Sequence, residues 1–336
     1  MFLLFQLLII RSITKQQEVI DLKQALIENP AGIVSKKLLQ HSRKRSHSGD
    51  AWAGFFFTAP MLITTTILTI IPILLSGIIS FTDWNFISGL DSIKSVGFEN
   101  YQKLFHDENF IQSMKNNIAL MAVVPVSLFL SLVLAVLINK ATYFKTFFKV
   151  VYFMPFISSF VAVAVLWRVL FHPTNGPING FLKSIGIDSP PLWLADTHYA
   201  LLSVMIIMVW SSLGFNMIIF MAGLQNIPKD LYEAADIDGA SPIRQFFSIT
   251  LQMLSPTTFF LLITGLVASF KAFDLIMILT NGGPAGSTSV IVFYLYETAF
   301  INLKSGYASA MGIVLLLFIL VITLIQWVGQ KKWVNY

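Results

Sequence analysis

The chain has 336 residues, of which 56% are hydrophobic and only 12% are charged, and its formal net charge is +5. Soluble domains carry roughly 25% charged residues, so a water-soluble fold of this size could not bury so much apolar surface. We therefore predict that the lipid bilayer is the solvent of this chain. The absence of cysteine excludes disulfides, thiolate metal sites and a cysteine nucleophile. Lys and Arg mainly set topology in membrane proteins, so we do not attribute the positive charge to nucleic-acid binding.

The first segment, residues 1–51, begins MFLLFQLLII and continues as a polar, basic stretch that ends HSRKRSHSGD and Ala51. The apolar part is shorter than the roughly 20 residues that span a bilayer. No basic region precedes it, as one would in a signal peptide. We predict that this segment is a cytoplasmic N-terminal tail, partly disordered or interfacial, and that residues 52–336 form one transmembrane domain.

Six stretches of the remaining chain are long and apolar enough to cross a bilayer as helices. Their approximate limits are 53–81, 118–138, 150–171, 201–224, 256–280 and 308–328. Lys and Arg are concentrated before the first span, in the connections after the second and fourth spans, and in the tail. Because cytoplasmic loops are enriched in Lys and Arg, we predict an all-α polytopic membrane protein with six transmembrane helices and both termini in the cytoplasm.

The sequence lacks the short motifs of common catalytic sites. It contains no phosphate loop, no H-E-x-x-H zinc motif and no G-x-S-x-G nucleophile motif. A membrane-embedded enzyme would need a convergent acid–base or metal set, which the predicted spans lack. We therefore expect a transport subunit and not an enzyme. The alternative is an ion-coupled secondary transporter, a class that usually shows inverted repeats and ionisable residues near the bilayer midplane.

Three polar residues stand out inside the predicted spans: Lys271 and Asp274 in the fifth, and Asn216 in the fourth. At a spacing of i, i+3, the two charged residues would share one face of a continuous helix. Charged groups at membrane depth are costly and usually face a protein interior or an aqueous cavity. Two interpretations stay open: these residues line a translocation path, or the two charges form an ion pair that fixes helix packing.

The connection between the fourth and fifth spans, residues 225–254, carries an unusual number of acidic residues and contains the sequence EAADIDGA. Pro228 fits the first turn of a helix, and Gly239 fits the left-handed position that ends one. Ser241 and Pro242 then fit the cap and first position of a second helix. We predict two short helices with a sharp corner at the membrane surface. They are either a docking surface for a partner or a solvated amphipathic loop.

The second of these helices has one face that is predicted to lie against the inner ends of the spans. Its residues recur at helical spacing. They are Ile243, Phe246, Phe247, Thr250, Leu251 and Leu254.

The whole connection resembles the EAA loop of permease subunits in binding-protein-dependent ATP-binding cassette importers. The matching residues are Glu233, Ala234, Ala235, Asp238, Gly239, Ala240, Phe247, Ile249 and Leu251. The sequences LQNIPKDLY, LTNGGPAGST and YASAMG are similar to the carbohydrate-uptake branch of that family, which includes maltose and glycerol-3-phosphate permeases. One departure is Gln252, where family members often have Pro, and this leaves the bend after the second helix open.

The resemblance implies cytoplasmic coupling helices between spans four and five, held in a groove of a separate ATPase. It implies ATPase-coupling roles for Glu233, Ala234, Ala235, Asp238, Gly239 and Ala240. The implied partners are a second homologous permease subunit, two cytoplasmic ATPase subunits that bind the ATP, and an extracytoplasmic solute-binding protein. The implied location is the bacterial cytoplasmic membrane, and the implied cargo is a sugar, an oligosaccharide or a glycerol phosphate. No cofactor or metal is expected on this chain.

Overall fold

The computed structural model describes residues 47–333, except residues 90, 92, 141 and 142. Most of the predicted N-terminal tail, residues 1–46, lies outside the described residues. Within the described part of the chain there is one isolated antiparallel bridge, between Thr82 and Ser95, and no strand. The all-α prediction is therefore confirmed for these residues.

The helices follow one another along the chain, joined by connections that range from single residues to the stretch 80–98. In order they are α1 (His47–Thr65), α2 (Ile71–Ile79), α3 (Glu99–Leu104), α4 (Glu108–Leu120), α5 (Val123–Lys140), α6 (Lys145–Ile157), α7 (Phe160–Leu170), α8 (Pro177–Ser184), α9 (Ala200–Gln225), α10 (Lys229–Ile237), α11 (Pro242–Gln245), α12 (Leu251–Met253), α13 (Ser255–Ser269), α14 (Phe273–Leu279), α15 (Ile291–Tyr296) and α16 (Ser305–Trp333). Single π-helical turns at Thr66–Ile70, Phe246–Thr250 and Glu297–Ile301 join some of them.

The chain divides into two units, Met1–Pro72 and Ile73–Tyr336, with the boundary inside α2. In its described part the first unit consists of α1, the π-helical turn that follows it and the start of α2. Large apolar side chains of α1, such as Phe56 and Phe57, are exposed. Such a surface is expected of a helix that faces lipid.

Within the described residues, four helical stretches are long and apolar enough to cross a membrane. These stretches are Gly54–Ile79, Glu108–Asn139, Ala200–Gln225 and Ser305–Lys331. Two further pairs of helices pass the same test together but are bent, α6 with α7 by 99°, and Pro242–Met253 with α13 by 61°. By length and composition the structure therefore supports four spans, or up to six if each bent pair is one span.

The helix α9 lies at the centre of the second unit, where it packs along α5 and against α6. Small residues allow these close contacts, as is common between membrane helices. Gly214 of α9 lies directly on the backbone of Tyr152 in α6, and Gly265 of α13 faces the side chain of Val124. The buried apolar residues form three clusters, one of which joins α5, α9 and α13 through Ala135, Met217 and Leu261, among others.

The third predicted span is broken, which corrects the single helix predicted over 150–171. The helix α6 ends at Ile157, and Ser158 and Ser159 are extended before α7 begins. Pro155 lies inside α6 and weakens the turn before it, because it cannot donate a backbone hydrogen bond to the carbonyl of Val151. The break itself falls at the Ser158–Ser159 pair, and such pairs are common at sharp kinks. The Ser158 hydroxyl donates to the carbonyl of Met154 at 2.8 Å and so covers part of the exposed helix end.

The fifth predicted span is also interrupted, which corrects the single helix predicted over 256–280. The helix α13 ends at Ser269, and α14 begins at Phe273. No Pro or Gly marks this break. Instead Phe270 is buried against Phe318 of α16, with the ring centroids 5.7 Å apart, so packing with a distant helix accompanies the turn.

Candidate functional site

The helix α10 carries the EAADIDGA sequence and ends in a Schellman motif. The backbone N–H of Gly239 donates to the backbone carbonyl of Asp236 at 3.0 Å, and the backbone N–H of Ala240 donates to the backbone carbonyl of Ala235 at 2.9 Å. This pattern requires a left-handed residue at the first position after the helix, and Gly239 has a φ of 73°. The predicted role of Gly239 as the corner is confirmed. Pro228 stands at the cap position, one residue before its predicted place in the first turn.

The second predicted helix corresponds to α11, the π-helical turn at Phe246–Thr250 and α12, and it starts directly after this corner. The Ser241 side chain accepts from the backbone N–H of Arg244 at 3.4 Å, and Pro242 occupies the first turn. The Gln245 amide then reaches back across the corner, donating to the Asp236 carboxylate at 2.6 Å and to the Ala240 carbonyl at 3.1 Å. These bonds hold the end of α10 to the start of the second helix.

A second contact joins the two helices to the interior of the protein. The hydroxyls of Tyr232 in α10 and Thr250 lie 2.8 Å apart and share a hydrogen bond. Tyr232, Ile249 and Leu254 pack with the cluster that joins α5, α9 and α13, and Leu254 is fully buried. A displacement of α10 would therefore be transmitted to the core of the spans through side chains that are already in contact.

The outer surface of the two helices combines carboxylates, alanines and exposed apolar residues. Glu233, Ala234 and Asp238 are exposed, whereas Ala235 and Ala240 are partly buried. Ile237 is 87% exposed and Ile243 is 72% exposed. Exposed apolar residues next to charged ones are typical of an interaction surface. We call these helices, residues 228–253, the coupling segment.

The predicted apolar face of the second helix is only partly correct. Thr250 and Leu254 are buried as predicted, and Phe246 is partly buried. Phe247 is 60% exposed, however, and Ile243 and Leu251 are exposed too. The π-helical turn at Phe246–Thr250 inserts one extra residue and shifts Phe247 and Leu251 from their α-helical register, whereas Ile243 lies before this turn.

The structure separates Lys271 and Asp274, which were predicted to share one helix face. Lys271 lies in the turn between α13 and α14, and Asp274 lies in the first turn of α14. Both side chains are exposed. Within the described residues, no ion pair joins Lys271 and Asp274. The ion pair that the described part of the chain contains is the one between Lys103 and Glu99. The ion-pair interpretation thus loses its geometric basis.

Asn216 lies on α9 and is buried, with 8% of its surface exposed. Its amide donates to the hydroxyl of Ser127 on α5 at 3.4 Å. One turn away, the hydroxyl of Ser131 on α5 donates to the carbonyl of Leu213 at 3.1 Å. In this conformation Asn216 belongs to a polar contact between two membrane helices.

The sequence analysis missed a polar cluster at the start of α4. The Asp107 carboxylate accepts hydrogen bonds at 2.7 Å from the hydroxyls of Tyr294 on α15 and Tyr307 on α16. Its other oxygen caps α4 by accepting from two backbone N–H groups. Burial by itself would raise the pKa of Asp107. The tyrosine and backbone hydrogen bonds outweigh burial, so the pKa of Asp107 lies below its ordinary value.

We expect Asp107→Asn to destabilise the protein near neutral pH by about 1–3 kcal/mol, because two charge-assisted hydrogen bonds are weakened. A carboxylate with a lowered folded-state pKa stabilises the fold above its unfolded-state pKa, and this contribution is lost as the pH falls through the folded-state pKa. The difference between wild type and variant should therefore shrink as the pH falls below the ordinary Asp pKa value of 3.8. Thermal unfolding in detergent, followed from neutral pH into this acidic range, measures the difference.

The matched control is Glu108→Gln, which removes one exposed charge from the same helix start without touching the two tyrosines. It should have a small effect that comes from the helix dipole alone. Equal unfolding temperatures for wild type and Asp107→Asn at neutral pH would contradict the assigned role of the carboxylate.

Comparison with known proteins decides the family. The family model described as "Binding-protein-dependent transport system inner membrane component" matches residues 127–333, which is more than half of the chain. The chain belongs to this family. It is a permease subunit of an ATP-binding cassette transporter, a multi-pass membrane protein and a transport component rather than an enzyme.

Two relatives match this permease over most of their length. The probable ABC transporter permease protein YesP of Bacillus subtilis (strain 168) is 36% identical over 298 residues, which cover 88% of this chain and 95% of the relative. The sn-glycerol-3-phosphate transport system permease protein UgpA of Escherichia coli O157:H7 is 34% identical over 293 residues, which cover 85% of this chain and 96% of the relative.

Two solved structures share the fold. A chain of a bacterial ABC transporter involved in the import of the acidic polysaccharide alginate matches with a TM-score of 0.72 and 25% identity, covering 88% of the permease and 98% of that chain. A chain of a bacterial alginate ABC transporter in complex with an alginate pentasaccharide-bound periplasmic protein matches with a TM-score of 0.73 and 25% identity. The match covers 84% of the permease and 96% of that chain.

Proposed function

We propose that the permease imports a carbohydrate or related solute that an external binding protein delivers, and that the coupling segment docks on a separate ATPase. The observation that carries the proposal is the exposed surface around Glu233, built on a corner that is hydrogen-bonded to the core. The solute class is supported by relatives that belong to sn-glycerol-3-phosphate and sulfoquinovosyl glycerol transport systems and by the similar structure of an alginate importer.

The proposed assembly contains this permease, a second homologous permease, two cytoplasmic ATPase subunits and a solute-binding protein outside the membrane. The binding protein present in one similar structure supports this arrangement. We propose six spans in the bacterial cytoplasmic membrane: the four continuous stretches, the bent pair α6 and α7, and α13 with α14, which follow the coupling segment. The distribution of Lys and Arg supports a cytoplasmic location for both termini and for the coupling segment.

The docking residues of the coupling segment divide into three kinds. Glu233 and Asp238 would offer carboxylates to Lys or Arg of the ATPase. Ala234, Ala235 and Ala240 would allow its backbone to come close. Gly239 would set the angle between the docked helix and the second helix, since its positive φ forms the corner. ATP-driven closure of the two ATPases would then move the spans through Tyr232 and Thr250.

A transport assay tests this function against the alternative of an ion-coupled secondary transporter. The permease, its second permease and the ATPases would be reconstituted in liposomes with the binding protein and labelled sugars or glycerol phosphates. Uptake that requires both ATP and the binding protein is the expected result. Uptake driven by a proton or sodium gradient without ATP would instead establish the secondary transporter.

Lys271, Asp274 and Asn216 are proposed as residues of the translocation path. The exposure of Lys271 and Asp274 supports their availability to a solute, and the buried position of Asn216 would require α5 and α9 to separate during transport. Alternating access of this kind moves helix groups against each other around a fixed site.

We expect Lys271→Gln to change the KM of uptake by about tenfold, equivalent to 1.4 kcal/mol, without loss of assembly. The reason is that an exposed charge in the path contacts solute and not a neighbouring helix. Uptake kinetics and the yield of the purified complex would be measured together, with Lys183→Gln on α8 as an exposed control. Loss of assembly that is restored by exchanging the charges of residues 271 and 274 would contradict the prediction and support the ion pair.

A further inference from the structure

A cavity of about 400 Å³ lies between the start of α4, the loop at 281–289 and the residues around α15. This volume is within the range of small-molecule binding sites. Neither the coupling residues nor the proposed path residues line it. Its lining includes the amides of Asn109, Gln112 and Asn281, the ring of Phe293 and the carboxylate of Glu297.

The loop that forms one wall of the cavity is held in an unusual backbone conformation. Asn281 and Ala285 have left-handed φ values of 50° and 47°, which non-glycine residues rarely adopt. The amide of Asn116 on α4 fixes the loop by donating to the carbonyls of Ser289 at 2.8 Å and Gly286 at 3.2 Å. Backbone strain that the surrounding structure maintains tends to cluster at ligand sites. The wall is therefore preformed.

The chemistry of the lining discriminates between classes of ligand. An amide side chain both donates and accepts hydrogen bonds, as a sugar hydroxyl does, whereas a carboxylate accepts only. Among the described residues that line the cavity there is no Lys, Arg or His. No ion pair within the described part of the chain neutralises Glu297. An anionic ligand would thus meet a like charge and find no cation in the lining.

We propose that this cavity binds a neutral saccharide. The Glu297 carboxylate accepts hydrogen bonds from neighbouring hydroxyls of the sugar, and the amides of Asn109, Gln112 and Asn281 complete the hydrogen bonding. Glu297 disfavours uronates, phosphates and sulfonates, so the proposal separates this permease from relatives that transport sn-glycerol-3-phosphate or sulfoquinovosyl glycerol and from the alginate importer. The proposal rests on the proposed function and on its six-span topology: with both termini in the cytoplasm, the start of α4 and the 281–289 loop would face the outside, where solute arrives.

Binding to the complex of the two permeases and the ATPases, without ATP and without the solute-binding protein, tests this site. Saturation-transfer NMR would measure the affinity of glucose, galactose, mannose, xylose and maltose, with glucuronate and glycerol 3-phosphate as anionic probes. At least one neutral sugar should bind saturably, and Glu297→Gln should weaken it by about tenfold, the effect of losing one charge-assisted hydrogen bond. Asn281→Ala provides a second variant should Glu297→Gln fail to assemble.

The control is Asp188→Asn, which removes an exposed carboxylate from the loop after α8, outside the cavity lining, and should leave the affinity unchanged. Failure of every neutral sugar to saturate, unchanged affinity in an assembled cavity variant, or tighter binding of the anionic probes would overturn the proposal. Uptake measured with the same preparation distinguishes failure of the proposed saccharide site from failure of the proposed function. ATP-dependent uptake without cavity-dependent binding overturns the site alone, whereas loss of ATP dependence overturns the proposed function.

Discussion

Glu233→Lys is expected to reduce ATP-dependent uptake by roughly 30-fold or more while the permease still inserts and assembles with the second permease. Reversing one charge of a desolvated interfacial pair typically costs at least 2 kcal/mol, which corresponds to this factor. Glu233 is exposed on α10, so the fold has no need of its carboxylate. Uptake into liposomes, ATPase activity and co-purification of the ATPase would be measured on the same preparation.

The control for this prediction is Asp188→Lys, which reverses an exposed charge outside the coupling segment and should preserve uptake. A thermal unfolding profile like that of the wild type would show that Glu233→Lys acts on docking. Normal uptake by a correctly inserted Glu233→Lys variant would contradict the coupling role of α10.

Gly214→Ala is expected to prevent stable folding of the permease, with a loss of more than about 3 kcal/mol, the upper range for an overpacked core. A Cβ at this position would overlap the backbone carbonyl of Tyr152 and would lie 2.6 Å from the Cα of Phe153. Backbone atoms cannot move aside by changing a rotamer, so α6 and α9 would have to separate. Expression yield and thermal unfolding in detergent measure the effect.

Gly180→Ala is the matched control, because Gly180 also lies in a helix but a Cβ there would have no neighbour within 4 Å. The added methyl should be neutral or slightly stabilising there, since Ala has the higher helix propensity. Equal stability of the two variants would show that α6 and α9 are not in contact at Gly214.

Local chemistry explains why the coupling segment could be predicted well. Gly239, Ser241 and Pro242 act on the backbone within a few residues of themselves, and the structure places the helix end, cap and first turn at these positions. The resemblance to the permease family that the sequence analysis noted rested mainly on the same stretch. The part that failed, the apolar face of the second helix, depended on an α-helical register that a π-helical turn interrupts.

The two broken spans differ in how far their breaks could be predicted from the sequence. The break falls at the adjacent residues Ser158 and Ser159 in one span, and such pairs are common at sharp kinks, so the sequence carries a local signal for it. The break between Ser269 and Phe273 has no such signal, and it accompanies the burial of Phe270 against α16. A contact with a helix so distant along the chain cannot be read from residues 256–280.

The sequence by itself determined that the protein is helical and membrane-bound, because apolar length and helix-end chemistry act locally. Only the tertiary structure brought Asp107 to Tyr294 and Tyr307, across 187 and 200 positions of the chain. The cavity beside them formed in the same way, from α4 and a loop that packs on it. Such groupings depend on which helices pack together, and that is a property of the whole fold, since each segment alone carries only its own periodicity.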